Sequence, residues 1–174
     1  TPKIHKSIGM KVLKFGGTSV GSPATIQALI EVLKTYQARG DRFTVVFSAF
    51  SKVTDTLIEM AKRASRGDET YRELLEQVHQ RHLDAVAALL RPDYADRRIV
   101  DVHLAQEFSA LGNVLQGIVL LHEVSPRSLD FVVSFGERNS AFLVAHAMQQ
   151  AGIPTAFLDA REVVRTDAHF GSAK

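Results

Sequence analysis

Cysteine is absent from this sequence of 174 residues, which excludes disulfides, thiolate catalysis and metal sites built on cysteine. Runs of lysine and arginine interleaved with aromatic residues are also missing, so we expect no nucleic-acid partner. No apolar segment approaches the length that spans a bilayer, and none has the form of a secretory leader. We therefore expect no membrane association, and a reducing cytoplasm is the compartment that these absences favour.

A strong net charge is missing as well. The 21 Lys and Arg residues nearly balance the 19 Asp and Glu residues, which gives a formal charge of +2. The pI of about 9.0 therefore reflects a shallow titration curve rather than a basic surface patch. The apolar fraction of 45% and the charged fraction of 23% are typical of a globular protein, and the length suits one domain with a sizeable core.

The first nine residues differ from the rest of the chain. Residues 1–9 carry no periodic pattern, whereas patterned sequence begins at Met10. We interpret residues 1–9 as a leader or cloning remnant and treat residues 10–174 as the structural unit.

Two short apolar runs, over residues 10–15 and 43–49, predict buried strands. Between them Ser22 is suited to cap a helix, Pro23 to occupy its first position and Gly40 to end it. Because both runs are apolar on both faces, they are typical of a parallel sheet covered by helices.

Helical periodicity dominates the middle of the chain. A helix is predicted to begin near Thr54 or Asp55, and a longer one to begin near Asp68 and end at Pro92. A third covers about residues 97–122, where leucine and phenylalanine recur on one face.

The last third of the sequence is less regular. Residues 125–130 are a turn or a helix start, and residues 131–137 fit either a strand or a helix that continues to Gly152. Residues 155–159 predict a further strand, and residues 160–166 a short helix or extended segment. The order of elements predicts an α/β fold with an open, mostly parallel sheet sandwiched by helices and interrupted by a helical insert.

The most informative stretch follows the first strand and reads KFGGTSVGSP over residues 14–23. Its glycines let backbone N–H groups approach a ligand closely, and the helix N-terminus that follows adds partial positive charge. Lys14 adds a full charge, and Thr18 and Ser19 can donate hydrogen bonds to phosphate oxygens. Since ligands bind beyond the carboxyl ends of parallel strands, these features favour an oxyanion or phosphate cradle.

The cradle matches neither of the two common nucleotide-binding loops. No Gly-Lys-Ser/Thr closes it, and the G-x-G-x-x-G spacing is absent. On this chemistry alone a second interpretation stays open: a tight strand-to-helix turn with Lys14 extended into solvent. His79 and His82 lie three apart on a predicted helix, but no carboxylate recurs at ligand spacing, so we favour a core or surface role and predict no metal site.

The string KFGGTSVGS resembles the N-terminal signature of the aspartokinases, which belong to the amino-acid kinase superfamily. The resemblance continues in order through VVFSAFSKVTDTL, SFGERNSAFLVAHAMQQAGI and FLDAREVVRTDAHFG, and so covers nearly all of residues 10–171. It implies the carbamate kinase-like fold, of which this chain is the N-terminal, substrate-side part. It also implies transfer of the γ-phosphoryl group of ATP to the β-carboxylate of L-aspartate, the first step of lysine, threonine and methionine biosynthesis.

By this resemblance Lys14 holds oxygens of the transferring phosphate and is the catalytic residue. The implied nucleotide-binding residues form one string: Lys14, Phe15, Gly16, Gly17, Thr18 and Ser19. The nucleotide binds with Mg²⁺, for which the resemblance assigns no protein ligand.

The resemblance also implies an aspartate site. Ser48, Ala49 and Thr54 match the family's second substrate loop, and Glu137 matches the glutamate that pairs with the α-ammonium group of aspartate. Considered without the family, the loop is a plain strand-to-helix connection with Thr54 as a cap, and Glu137 is a solvated helix-end residue. Arg161 and Arg165 receive no role.

Part of the family's catalytic domain has no counterpart here. The family carries a Gly-Arg-Gly-Gly-Ser-Asp-type segment and most of its adenine site in a second half, usually followed by regulatory domains that bind amino acids. We therefore expect the chain alone to be inactive and the full-length enzyme to be a homo-oligomer. Alternatives are a non-catalytic fold fragment, a self-associating module, or a kinase for another small amino acid or a nucleoside monophosphate.

Overall fold

The structure, a computed structural model, describes residues 9–172. The elements follow in the order β1 (Lys11–Phe15), α1 (Pro23–Ala38), β2 (Phe43–Phe47), α2 (Val53–Ser65), α3 (Tyr71–Leu89), α4 (Arg97–Leu121), α5 (Pro126–Gln150) and α6 (Ala160–Val163). The interpretation of residues 1–9 as a leader falls almost wholly outside the described part of the chain and stays a prediction.

The sheet is a parallel pair. Lys14 of β1 lies opposite Val46 of β2, and α1 supplies the crossover that parallel strands require. The side chains that point toward the helices are partly buried against the core: Leu13, Phe15, Phe43, Val45 and Phe47. On the opposite face, which we call the outer face, Val12 is 68% exposed and Val46 is 46% exposed.

The entry into α1 follows the sequence closely. Ser22 caps the helix, because its Oγ accepts a hydrogen bond from the Thr25 N–H, and Pro23 occupies the first position. Beyond the other end Gly40 adopts a φ of 74°, a left-handed conformation that costs glycine little. Both ends of α1 are therefore where the sequence predicts them.

The predicted helical insert is confirmed as a bundle. α2 contacts α3, α4 and α5, and α4 contacts α3 and α5. One face of α4 is buried along its whole length through residues spaced three or four apart: Val100, Leu104, Phe108, Leu111, Leu115 and Ile118. This spacing is the helical repeat, so the bundle core and the sequence pattern have the same origin.

α4 also corrects one expectation. By length and composition alone this helix could cross a membrane, whereas from the apolar runs of the sequence we expect no segment of that length. Its buried face lies in the core of the helical bundle. Only 28% of its apolar stretch is buried, so α4 also presents much apolar surface outside this core.

Of two predictions near the C-terminus, the structure selects one of two alternatives for residues 131–137 and contradicts the strand over residues 155–159. Residues 131–137 are helical and belong to α5, which is one of the two predicted alternatives. The strand predicted over residues 155–159 is wrong. The Thr155 carbonyl accepts from the Gln149 side chain at 2.7 Å, and the ring of Phe157 packs edge-on against Phe142, so this segment is attached to α5 rather than to a strand.

Candidate functional site

The turn between β1 and α1, residues 16–22, is called loop 1. Its backbone is held by internal hydrogen bonds, from Ser19 N–H to Gly16 O at 2.9 Å and from Gly21 N–H to Thr18 O at 3.3 Å. None of its glycines has a positive φ, because the positive-φ glycines of residues 9–172 lie elsewhere. Glycine at position 17 instead allows loop 1 to approach Ala49 closely, since a Cβ there would lie 3.2 Å from the Ala49 carbonyl oxygen.

Loop 1 offers backbone hydrogen-bond donors, and a lysine precedes it at the end of β1. The backbone N–H groups of Gly16, Gly17 and Thr18 donate to no acceptor within residues 9–172. A Cβ added at Gly16 would meet no atom within 4 Å, so the space beside it is open. Lys14, at the end of β1, is exposed and takes part in none of the ion pairs formed by residues 9–172, whereas Lys11 on the same strand pairs with Asp41 at 2.6 Å. Consecutive free N–H groups beside a lysine suit an anion such as phosphate.

The turn between β2 and α2, residues 48–52, is called loop 2. It lies beside loop 1, because Ser48 N–H donates to the Phe15 carbonyl oxygen at 3.1 Å. Ala49 is buried with 2% of its surface exposed and faces Gly17 of loop 1 through its carbonyl oxygen. Two predicted binding segments, 30 residues apart in sequence, therefore meet at the carboxyl end of the sheet, where ligands bind in parallel α/β folds.

α5 packs against loop 2 at Gly136. A Cβ at Gly136 would lie 2.8 Å from the Cβ of Ala49, so only glycine allows the helix to pack this closely on loop 2. One turn later the buried Ser140 donates its hydroxyl to the Ser48 carbonyl oxygen at 2.7 Å. Glu137, half-buried, follows Gly136 directly, so the backbone of the predicted glutamate lies next to loop 2.

Thr54 does not cap α2. The helix begins at Val53, and the capping position belongs to Lys52, which has a φ of 66° and no side-chain cap bond. Thr54 is therefore the second residue of the helix, half-buried in its first turn. The alternative interpretation of Thr54 as a plain N-cap is wrong.

Two residues of α3 that sequence reasoning did not place in a site support these loops. Arg81 donates to the Ser51 carbonyl at 2.6 Å and to the Gly21 carbonyl at 3.0 Å. His82 stacks on Phe50 of loop 2, with ring centroids 4.8 Å apart. Burial lowers the pKa of His82 to about 4, despite the hydrogen bond between its Nδ1 and a backbone carbonyl. The core role favoured for His82 is thereby confirmed.

A cluster of charged side chains surrounds Arg138, the residue after Glu137. Arg138 donates to the carboxylate of Glu107 on α4, and its Nε lies 3.9 Å from the carboxylate of Asp159. Asp159 also pairs with Arg161 at 2.5 Å, and the hydrogen bond from Arg161 lowers the pKa of Asp159. The cluster joins α5 to α4 and to the start of α6, and it gives Arg161 a structural contact that the sequence does not suggest.

Residues 9–172 contain no group of three His, Asp or Glu side chains that could hold a metal ion. His79, the other histidine considered for metal, stacks on Phe108 with ring centroids 4.5 Å apart.

The chain resembles known proteins in sequence. Residues 9–173 match the Amino acid kinase family. A bifunctional aspartokinase/homoserine dehydrogenase of Arabidopsis thaliana is 32% identical over 162 residues, which are 93% of this chain and 17% of that protein. A second such enzyme from Zea mays is 31% identical over 88% of this chain and 16% of its own length, and both are named as chloroplastic. An aspartokinase of Candida albicans is 29% identical over 90% of this chain and 29% of its length.

It also resembles solved structures. Aspartokinase III of E. coli in complex with aspartate and ADP superposes with a TM-score of 0.81 at 23% identity, over 95% of this chain and 34% of that one. The same enzyme in complex with lysine and aspartate gives a TM-score of 0.82. This likeness shows the fold, and it confirms the predicted α/β class. The chain spans between about a sixth and a third of the proteins it matches. With its family match extending over nearly all of its residues, the chain belongs to the amino acid kinase family.

Proposed function

We propose that this chain is the N-terminal, substrate-side part of an aspartate kinase, which uses ATP to phosphorylate the β-carboxylate of L-aspartate. One observation carries the proposal: three backbone N–H groups of loop 1, which donate to no acceptor within residues 9–172, lie beside loop 2 and the contact of α5 at Gly136, and Lys14 lies two residues before loop 1 at the end of β1. The named aspartokinases among its relatives support the same reaction.

Each predicted residue has a part in the proposed reaction. Lys14 neutralises charge on the transferring phosphate, while the N–H groups of Gly16, Gly17 and Thr18 hold its oxygens. Phosphoryl transfer needs alignment and charge stabilisation more than covalent help, which suits a site made of donors and one cation. Phe15 and Ser19 belong to the same nucleotide-binding string.

Loop 2 and α5 form the proposed aspartate side. Ser48, Ala49 and Thr54 contact aspartate, and the carboxylate of Glu137 pairs with its ammonium group. Their position beside loop 1 is what supports this division, since donor and acceptor must meet. Mg²⁺ would enter with the nucleotide, held by phosphate oxygens rather than by a protein cluster.

The rest of the proposal concerns the whole protein. We propose that the chain alone does not turn over aspartate, that the complete enzyme is a cytoplasmic homo-oligomer, and that further domains complete its site. Inactivity of the chain alone is compatible with an active full-length enzyme. A kinase for another small amino acid is the alternative, and an assay with aspartate as substrate separates the two.

The test is aspartyl phosphate formation by the full-length enzyme, trapped with hydroxylamine. Lys14→Ala should lower kcat on the order of 100-fold or more, because charge stabilisation of the transition state is lost. Lys34→Ala, a lysine on α1 paired with Glu31, is the matched control and should leave kcat unchanged. A rise in the KM for aspartate with kcat intact would contradict the role of Lys14. Robust trapping with the 174-residue chain would contradict its inactivity.

Glu137→Gln tests the aspartate side separately. It keeps the shape of the side chain and removes the charge that would pair with the ammonium group. The KM for aspartate should rise about tenfold or more while the KM for ATP stays within twofold, as expected for the loss of a charge pair that is partly shielded from water. Equal weakening of both substrates would count against the pairing.

A further inference from the structure

We propose that Arg81 is a positioning residue that fixes loop 1 and loop 2 relative to each other, a role that rests on the proposed kinase function of these loops. Arg81 lies on α3, outside both loops. Its two terminal nitrogens donate to different loops, Nη1 to Ser51 O at 2.6 Å and Nη2 to Gly21 O at 3.0 Å. One guanidinium group therefore joins Gly21 and Ser51, which lie 30 positions apart in the sequence.

The join occurs where the loops end. Gly21 immediately precedes the cap of α1, and Ser51 immediately precedes the capping residue of α2. At the other end of the loops, Ser48 N–H already donates to Phe15 O at 3.1 Å. The loops are thus connected at both ends, by a backbone bond next to the strands and by Arg81 next to the helices.

The side chain of Arg81 lies close to Phe50 and to the start of α1. The guanidinium carbon lies 6.0 Å from the centre of the Phe50 ring, and Phe50 is 3% exposed. The same side chain lines a small cavity of about 30 Å³ together with Gly21, Ser22 and Pro23. Within residues 9–172 the ion pairs of the chain do not include Arg81, so its donors serve backbone carbonyls rather than a carboxylate.

Arginine suits this arrangement better than lysine does. Its planar fork presents two parallel donors, whereas the ammonium group of lysine is a single point of charge on a flexible stem. The three N–H donors of lysine have no fixed relative position on the protein, so lysine would hold the two carbonyls less firmly. Because a displacement of about 1 Å at a reacting centre can cost on the order of 100-fold in rate, the relative position of the loops matters to the proposed transfer.

The experiment compares Arg81→Met, Arg81→Lys and Arg72→Met in the full-length enzyme, well below the melting temperature of each. Met keeps an apolar stem over Phe50 and removes the donors. Arg72, on the same helix, bonds Glu69 and Gln116 at the surface and is the matched control. We expect kcat for Arg81→Met to fall on the order of 100-fold, Arg81→Lys to recover part of this loss, and Arg72→Met to stay within twofold.

Amide hydrogen exchange on the same preparations gives a second measure that needs no activity. In Arg81→Met the amides of Ser19, Gly21 and Val53, which are bonded within the two loops, should exchange faster, whereas amides of α4 should not. If Arg81→Met lowers the melting temperature but leaves kcat per folded molecule within twofold, Arg81 is merely structural and the proposal is overturned. Unchanged exchange in the loops overturns it as well.

Failure of the proposed function gives a different result. If the wild-type enzyme forms no aspartyl phosphate, the kinase proposal fails, and the exchange data still decide whether Arg81 joins the loops. If Arg81→Met does not fold, Arg81→Lys takes its place in both measurements. A kcat equal to wild type, or loop amides that exchange as in wild type, would then overturn the proposal. A lower kcat together with faster exchange in the loops would support it.

Discussion

Loop 1 and loop 2 leave neighbouring strands in the same direction, but they are stabilised by different kinds of contact. Loop 1 is rich in glycine and is closed by hydrogen bonds within its own backbone, as between Ser19 and Gly16. Loop 2 has no glycine and is held from outside by side chains of distant helices. Ser140 bonds the Ser48 carbonyl, Arg81 bonds the Ser51 carbonyl, and His82 stacks on Phe50.

Their backbones differ in an unexpected way. The glycines of loop 1 all have negative φ, so they provide space for close approach rather than special dihedral angles. The left-handed residue belongs to loop 2 and is Lys52, with a φ of 66°. Loop 1, which is stabilised by hydrogen bonds within its own backbone, can be recognised from local sequence. Loop 2, which is stabilised by side chains of helices, depends on residues far along the chain.

The largest expected effect concerns His82 under loop 2. The pKa of this residue is about 4 in the folded chain against an ordinary value of 6.5, because burial disfavours its charged form. The unfolded chain therefore takes up the proton first as pH falls. Protonation of His82 in the unfolded chain lowers the free energy of unfolding by about 3 kcal/mol in total. None of this stability is lost above pH 6.5, and it is lost progressively down to about pH 4.

His82→Leu removes this titration, so the variant should lose about 3 kcal/mol less stability than wild type between neutral pH and about pH 4. Urea unfolding across this range is the measurement. His122→Asn is the control, because His122 is exposed and asparagine tolerates its left-handed φ of 52°. Equal pH dependence in His82→Leu and wild type would show that His82 is not held neutral in the core.

Gly136→Ala tests the contact between α5 and loop 2. The new Cβ would lie 2.8 Å from that of Ala49, so α5 or loop 2 must shift, and we expect a loss of about 2 kcal/mol in the free energy of unfolding. Gly117→Ala is the matched control in α4, where a Cβ meets nothing within 4 Å. It should stabilise by up to about 1 kcal/mol through helix propensity. Thermal or urea unfolding measures both, and effects of the same sign would contradict the close packing.

The smallest effect is expected at Lys52. A non-glycine residue in the left-handed conformation lowers the free energy of unfolding by about 1–2 kcal/mol. Glycine removes this strain, but its greater freedom in the unfolded chain lowers the free energy of unfolding by about 0.4–1 kcal/mol. Lys52→Gly should therefore stabilise by about 0.5–1 kcal/mol. Lys62→Gly, in the interior of α2, should destabilise by about 1 kcal/mol. Loss of stability in Lys52→Gly would mean that loop 2 needs the lysine side chain itself.

Much of the fold could be predicted because its signals are local. The cap at Ser22, the end near Gly40 and the buried stripe of α4 all follow from neighbouring residues and a helical repeat. The strand over residues 155–159 was wrong because its apolar character serves packing against α5, as the contact between Phe157 and Phe142 shows. Pattern alone does not distinguish a strand from an extended segment laid on a helix.

The candidate site divides in the same way. Loop 1 stands out through its glycines and hydroxyl residues, and the structure brings it together with loop 2. Gly136 had a local signal, a glycine within an apolar run, but its meaning depends on Ala49, which lies on a different element. Arg81 had none, because its partners are backbone carbonyls, which every residue possesses.

The outer face of the sheet has a consequence for how this chain behaves alone. Within residues 9–172 the sheet has two strands, so each of them is an edge strand with a row of backbone groups open to pairing. The outer face beside these edges carries the exposed side chains of Val12 and Val46, and exposed apolar surface favours association. Lys14, beside them on the same face, opposes such pairing by its charge. We therefore expect the lysine proposed to hold phosphate to disfavour self-association of this chain as well.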